Sequence, residues 1–266
     1  VVDGYHADVK TAGSLTATPD NPDVETTVTY TPNGKLIPVD EDGNQIPGVD
    51  TPTYTTDPTD PTKVLDPTVP NVDGYKPKNN NVGDTVTPED PAKDTLVVYI
   101  QNKYGLTEKF VDEDGNELSP SVTKGTEYKT GDSYDVTSDA MVVTGYVLVN
   151  TTDTTGTFDE SDKTAVFTYK KVGKIIPVDE NNTPIPGADT PTYENDPDDP
   201  TKVTPNEPTP TVPGYSTDVP NVTPEDPTKD TPVVYTQNKY GLTEKFVDED
   251  GNELSPSVTK GTEYKT

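Results

Sequence analysis

Along this chain the apolar residues come in short alternating runs separated by turn residues, and no useful length of sequence carries the 3.6-residue period of an amphipathic helix. Thr107-Glu108-Lys109-Phe110-Val111 alternates polar with apolar, Asp114-Gly115 interrupts it, and Glu117-Leu118 resumes the run. An Asp-Gly pair set between two such runs predicts a β-hairpin. Met141-Val142-Val143 and Gly145-Tyr146-Val147-Leu148-Val149 follow, and Ala165-Val166-Phe167-Thr168-Tyr169 is a closing strand rich in β-branched and aromatic residues. Helix is expected only as one short turn near Ser133 to Asp139.

Elsewhere the pattern is sparser. Strands are expected at Lys35-Leu36-Ile37, with a turn at Asp42-Gly43, and at Thr95-Leu96-Val97-Val98-Tyr99. Between them Pro recurs at Pro52, Pro58, Pro61, Pro67, Pro70, Pro88 and Pro91, each fixing φ and removing a backbone donor. Central strands are excluded at those points, which leaves extended polyproline-like segments or edge strands. Plain disorder is the alternative this composition allows. Against it stand the strand-like ends and the Gly-Tyr pairs at Gly74-Tyr75 and Gly214-Tyr215.

Self-similarity organises these elements. Gln101 to Thr130 recurs without a change as Gln237 to Thr266. GKLIPVDEDGNQIPG from Gly34 matches GKIIPVDENNTPIPG from Gly173, and the opening Gly4-Tyr5 to Tyr30 aligns with Gly145-Tyr146 to Tyr169. Two module types alternate. The expected boundaries are the tail of one module at 1–33, a Pro-rich module at 34–103, a complete module at 104–171, a second Pro-rich module at 172–239 and the head of another at 240–266. Modules this small are marginal alone, so neighbours should pack end to end, and the expected fold is a mostly β, elongated rod of tandem modules.

Composition narrows the function. Only 28% of the 266 residues are hydrophobic, with 29 Pro and 19 Gly, too little apolar mass for one large core. No run approaches the roughly 20 apolar residues of a membrane span, and the opening VVDGYHADVK does not read as a signal peptide, so a soluble piece of a longer protein is expected, with no membrane insertion. The net charge is −28 and every basic residue is Lys. Nucleic acid is thereby excluded as a partner, and an anionic membrane surface would be repelled. With no Cys and the single His6, disulfides, thiolate metal sites, Cys nucleophiles and most imidazole chemistry are absent. The Thr-, Asp- and Pro-rich surface suits an extracellular setting.

The ordered motifs FVDEDGNEL from Phe110, TKGTEYKTGDSYDV, TGYVLV, TGTFDESD and TAVFTY resemble the MucBP (mucin-binding protein) domain over essentially all of 104–171. The Pro-rich segments resemble the companion module that alternates with it in mucus-binding adhesins of Gram-positive bacteria. The resemblance implies β-grasp-like modules in a cell-wall-anchored adhesin, the anchor lying outside this stretch, with mucin or another host glycoprotein as partner. Immunoglobulin binding is reported for some repeats of that family, and a purely structural stalk is a further reading. A non-enzymatic monomer without cofactor is expected.

Candidate sites are few. Tyr is abundant at 15 residues, and its ring can stack on a sugar while its hydroxyl hydrogen-bonds it. Tyr99, Tyr169 and Tyr235 close strands and Tyr75, Tyr146 and Tyr215 follow Gly, which suits packing. Tyr54, Tyr128, Tyr134 and Tyr193 sit among Thr, Lys, Asp and Pro and are the expected exposed ligand-binding rings. DEDGN at Asp112 lacks the spacing of a calcium loop and reads as a turn. DPTDPTK and DPDDPTK make Asp57, Asp60, Asp196, Asp198 and Asp199 weak calcium candidates; no other metal site is expected. An isopeptide bond between Lys and Asn, with a neighbouring Glu or Asp, is conceivable chemistry that the sequence does not locate. Long-range repulsion of acidic glycans makes neutral sugars, held weakly and multivalently, the expected ligand.

Overall fold

The computed structural model describes residues 1–264, which form β-sheet, loops and one 3-10 turn, with no α-helix among them. Lys265 and Thr266, the end of the expected 240–266 segment, lie outside the described residues. Two compact units are present: Val1–Gly105 with Thr126–Asp132 and Thr157–Asp162, and Leu106–Gly125 with Ser133–Gly156 and Lys163–Thr266.

In the first unit β1 (Tyr5–Ala7) pairs antiparallel with β2 (Tyr30–Pro32). A three-stranded sheet follows, built from β3 (Leu36–Val39), β4 (Tyr75–Pro77) and β5 (Thr95–Gln101) in the order β3-β5-β4. β3 runs parallel to β5, from Leu36 opposite Thr95 to Val39 opposite Val98. A parallel pair needs a long crossover, usually a helix. Here the Pro-rich loop between β3 and β5 serves instead, and Pro52, Pro58, Pro61, Pro67, Pro70, Pro88 and Pro91 all lie outside strands. Leu36, Ile46, Tyr54, Val69, Val72, Val97 and Tyr99 form the core beneath it. The segment is ordered because fixed φ angles lower the entropy lost on folding, so a small core suffices. Pro38 stands within β3, which is tolerable because β3 is an edge strand.

The complete repeat carries β6 (Tyr104–Asp112), β7 (Glu117–Tyr128), β8 (Ser133–Asp135), the 3-10 turn Thr137–Asp139, β9 (Tyr146–Thr152), β10 (Thr155–Thr157) and β11 (Lys163–Lys171). The main sheet has the order β7-β6-β11-β9 with the central β6 and β11 parallel. Period-2 alternation puts Leu106, Glu108 and Phe110 of β6 and Ala165, Phe167 and Tyr169 of β11 on one buried face. Phe110 and Phe167 stack with centroids 5.3 Å apart. The expected hairpin turn forms at Asp112: its Oδ1 accepts the N–H groups of Asp114 and Asn116, and Gly115 takes φ 82°. The same carboxylate-capped turn recurs at Asp40, Asp179 and Asp248. Met141 and Val142 form no strand; their side chains are partly exposed.

The chain continues through β12 (Ile175–Val178), β13 (Glu207–Pro208), β14 (Tyr215–Ser216), β15 (Asn221–Val222), β16 (Thr231–Val234) and β17 (Thr236–Gln237). β12 and β16 repeat the parallel pairing of β3 and β5. Ile175, Tyr193, Val212, Val233 and Tyr235 form their core together with Val172 and with Val147 from the preceding repeat. β18 (Tyr240–Val247) and β19 (Glu253–Tyr264) make a hairpin that has no third strand among the described residues. Its sequence equals that of β6 and β7, yet Leu242 and Phe246 are 51% and 43% exposed where Leu106 and Phe110 are at 0% and 1%.

Gly34 and Gly173 meet a close approach of backbone to backbone. A Cβ on Gly34 would stand 2.3 Å from the Lys93 carbonyl oxygen, and one on Gly173 2.1 Å from that of Lys229. Replacing Gly34 by Ala should therefore destabilise the first Pro-rich repeat by about 1–3 kcal/mol, read by denaturant unfolding. The same assay should register Phe110→Ala at about 3–5 kcal/mol and Phe246→Ala at under about 0.5 kcal/mol, since only the first removes buried surface.

Candidate functional site

Asp-Pro-x-Lys is the commonest local device in the Pro-rich repeats. In the turns starting at Asp60, Asp90, Asp199 and Asp226 the carboxylate accepts the N–H two residues on, and the Asp carbonyl accepts the Lys N–H at 3.0–3.1 Å. Pro fixes φ at the second position and the Asp closes the turn, as a β-turn of this composition requires. Lys93, Lys202 and Lys229 return to their own Asp at 3.3, 2.8 and 3.1 Å.

These turns answer the calcium expectation. Asp57 Oδ1 is engaged by the Thr59 N–H and hydroxyl, Asp60 by Thr62 and Lys10, Asp196 by the Asp198 N–H, and Asp199 by Thr201 and Lys202. Among the described residues no three His, Cys, Asp or Glu side chains gather as a metal shell. The carboxylates of Asp57, Asp60, Asp196 and Asp199 cap local turns.

The tyrosines divide. Tyr54 and Tyr193 are each 2% exposed, which corrects their expected exposure. Tyr54 donates its hydroxyl to Thr95 Oγ1 at 2.7 Å, and Tyr193 to Thr231 Oγ1 at 2.5 Å. Both rings tie the crossover loop to the parallel partner strand of their repeat, β5 or β16, so neither offers a face to a sugar; alternation with Thr concealed this, because burial here follows the crossover and not strand period. Burial also pushes the Tyr193 phenol up. Tyr99, Tyr169 and Tyr235 donate to the carbonyls of Pro70, Met141 and Pro210, in keeping with their expected packing role. Tyr128 is half-buried and stacks on Phe158 at 4.5 Å with the rings 9° apart. Tyr134 is half-buried and its ring lies over Gly156.

Within the first unit a cleft of about 730 Å³ brings together Lys76, Gln101, Asn102, Lys103, Tyr104 and Lys129, with Glu41 and Glu160 at its margin. Lys103 is paired with Glu127, and Glu160 accepts the Gly74 N–H at 3.0 Å. Three lysines converge here, set beside Glu41 and Glu160, in a chain of net charge −28. Sequence reading missed it because Lys76, the Gln101–Tyr104 connection and Lys129 are far apart along the chain. The remaining feature outside the expectations is Glu108, 2% exposed on the apolar face of β6. Its spacing between Leu106 and Phe110 was the available signal.

A MucBP domain family model matches residues 106–170 and 242–266. Residues 106–170 are a MucBP domain. The second matched stretch is identical to the start of the first. Among solved structures, "Crystal structure of Mub-RV" is 22% identical, covering 51% of this chain and 99% of that one at TM-score 0.20. Streptococcal High Identity Repeats in Tandem (SHIRT) domains 3-4 from a cell surface protein are 19% identical, covering 52% and 96% at TM-score 0.24. The Bacillus anthracis TIE protein is 13% identical, covering 80% of this chain and 53% of that one at TM-score 0.32. No curated protein matches the chain. Among the described residues no helix is long and apolar enough to cross a membrane.

The Asp-Pro-x-Lys turns set a pH dependence. Asp199 is held down to about 2, first by Lys202 and then by Thr201, and Asp226 to about 2, first by the Thr228 N–H. A depressed carboxylate stabilises the fold above its unfolded value and loses that contribution as pH falls through the folded one. Carboxyl-carbon NMR should show both groups ionised at pH 3, where an ordinary Asp is mostly protonated, with midpoints near 2.

Proposed function

We propose that this chain is an adhesive repeat segment that binds mucin-type glycans, in a protein displayed outside the cell and anchored to a Gram-positive cell wall through a region beyond this stretch. The observation that carries the reading is the MucBP match over residues 106–170. The repeat boundaries 34–103, 104–171 and 172–239 go with it, as does a non-enzymatic role without cofactor.

The Lys76, Lys103 and Lys129 cleft supports a place for the sugar. Gln101 and Asn102 offer hydrogen bonds, and Tyr104 at the rim provides a half-buried ring. Tyr128 and Tyr134, both half-buried, are secondary candidates. Single contacts of this kind are weak in water, so avidity comes from several repeats engaging one glycoprotein. The stalk reading and the immunoglobulin reading differ from this one in what they do to a binding trace.

Interferometry on immobilised mucin at physiological salt, before and after enzymatic glycan removal, tests the reading. Binding should depend on glycan, and Tyr104→Ala with Lys76→Glu should weaken it about tenfold or more while the circular dichroism spectrum is kept. Equal binding to stripped mucin, or to immunoglobulin alone, would transfer the function to a protein ligand. No binding by the folded chain would leave the stalk.

A further inference from the structure

Glu108 is the one buried ionisable side chain of β6. Leu106 and Phe110 flank it along its own strand, and Ala165 is its parallel partner on β11; all three are at most 1% exposed. A carboxyl so placed costs stability unless it is paired or neutral. Its carboxyl is hydrogen-bonded to that of Asp139, while its Oε1 is buried and has no hydrogen-bond partner. Lys124 completes the group. Its Nζ lies 2.6 Å from Asp139 Oδ2 and 3.7 Å from Glu108 Oε1. The three residues come from β6, from β7 and from the 3-10 turn, so the fold gathers them from separate elements.

A carboxyl–carboxyl hydrogen bond requires one proton between the two acids, and that proton belongs to Glu108. Burial pushes Glu108 up, while Lys124 and the Glu108 bond hold Asp139 down. The ground state is thus a neutral Glu108 donating to an Asp139 carboxylate that also meets the Lys124 ammonium. An amine, a carboxyl and a proton donor thus meet at the edge of the core, Glu108 buried and Lys124 and Asp139 about one-third exposed.

We propose that Lys124 and Asp139 form an intramolecular isopeptide bond, with Glu108 as the catalytic acid. Asp139 holds the Lys124 ammonium in its charged form, so the reaction runs through the minor state in which that proton has passed to Asp139, leaving a neutral amine against a neutral carboxyl. Nζ then attacks Cγ, the N–C bond forms, and the amine's proton moves through Glu108 to a carboxyl oxygen. That oxygen leaves as water when the C–O bond breaks. Amine plus acid gives amide plus water, no electron is transferred, and Glu108 ends as it began. The bond ties the end of β7 to the 3-10 turn in a chain that has no Cys for a disulfide. The second copy is an internal control. Glu244 and Lys260 repeat Glu108 and Lys124, but among the described residues they have no counterpart of Asp139, and Glu244 is exposed.

Intact-mass spectrometry of the purified chain, held at neutral pH, should read about 18 Da below the sequence mass, the mass of one water. Tandem spectra should place the loss on a branched peptide joining Lys124 to Asp139, with trypsin failing to cut after Lys124 yet cutting after Lys260. Glu108→Gln and Asp139→Ala should restore the full mass, and Lys124→Arg, which keeps the ion pair, should do so with the fold retained. An unshifted mass overturns the proposal. So does a loss reversed by hydroxylamine, which would mark a succinimide at an Asp-Gly step such as Asp114-Gly115.

Discussion

At Gly34 and at Gly173 the start of a strand passes so close to the carbonyl of Lys93 or Lys229 that no Cβ would fit. The approach lets the Gly34 and Gly173 N–H groups reach the carbonyls of Pro91 and Pro227. One residue on, the N–H groups of Lys35 and Lys174 bind the Asp94 and Asp230 carboxylates. From there the parallel ladders β3 to β5 and β12 to β16 run on. With seven buried residues in one core, a Pro-rich repeat has little apolar surface to hold a long crossover. Backbone bonds at the crossover's two ends, and the tyrosine hydroxyl that spans them, do what a larger core does elsewhere.

The same economy explains the surface chemistry. Acidic residues in such number would destabilise a compact chain by repulsion. Many of them are occupied as turn caps, each accepting N–H groups that Pro-rich loops would otherwise leave to water. The −28 charge is therefore partly structural, while Lys76, Lys103 and Lys129 line one cleft.

Strand runs and turns were legible from the sequence because period 2 and Asp-Gly are local signals: the hairpin at Asp112, the strand at Ala165 and the short turn before Asp139 are where the pattern put them. Burial of Tyr54 and Tyr193 was not, since the partners that enclose them are some 40 residues away. The acidic clusters misled for the opposite reason. Their spacing resembles a ligand set, while their neighbours Thr and Lys are what the carboxylates bind. The identical segments 101–130 and 237–266 show the limit most plainly, because one sequence has two burial states decided by whether β11 is present to cover it.

In the MucBP repeat the first and last strands, β6 and β11, lie side by side and parallel, from Leu106 beside Lys163 to Asp112 beside Tyr169. Tension applied at Tyr104 and Lys171 pulls these neighbours in opposite senses along their own length. The rungs between them are then sheared together and cannot open one after another like a zipper. Under such a load that arrangement converts an ordinary hydrogen-bonded ladder into a brace.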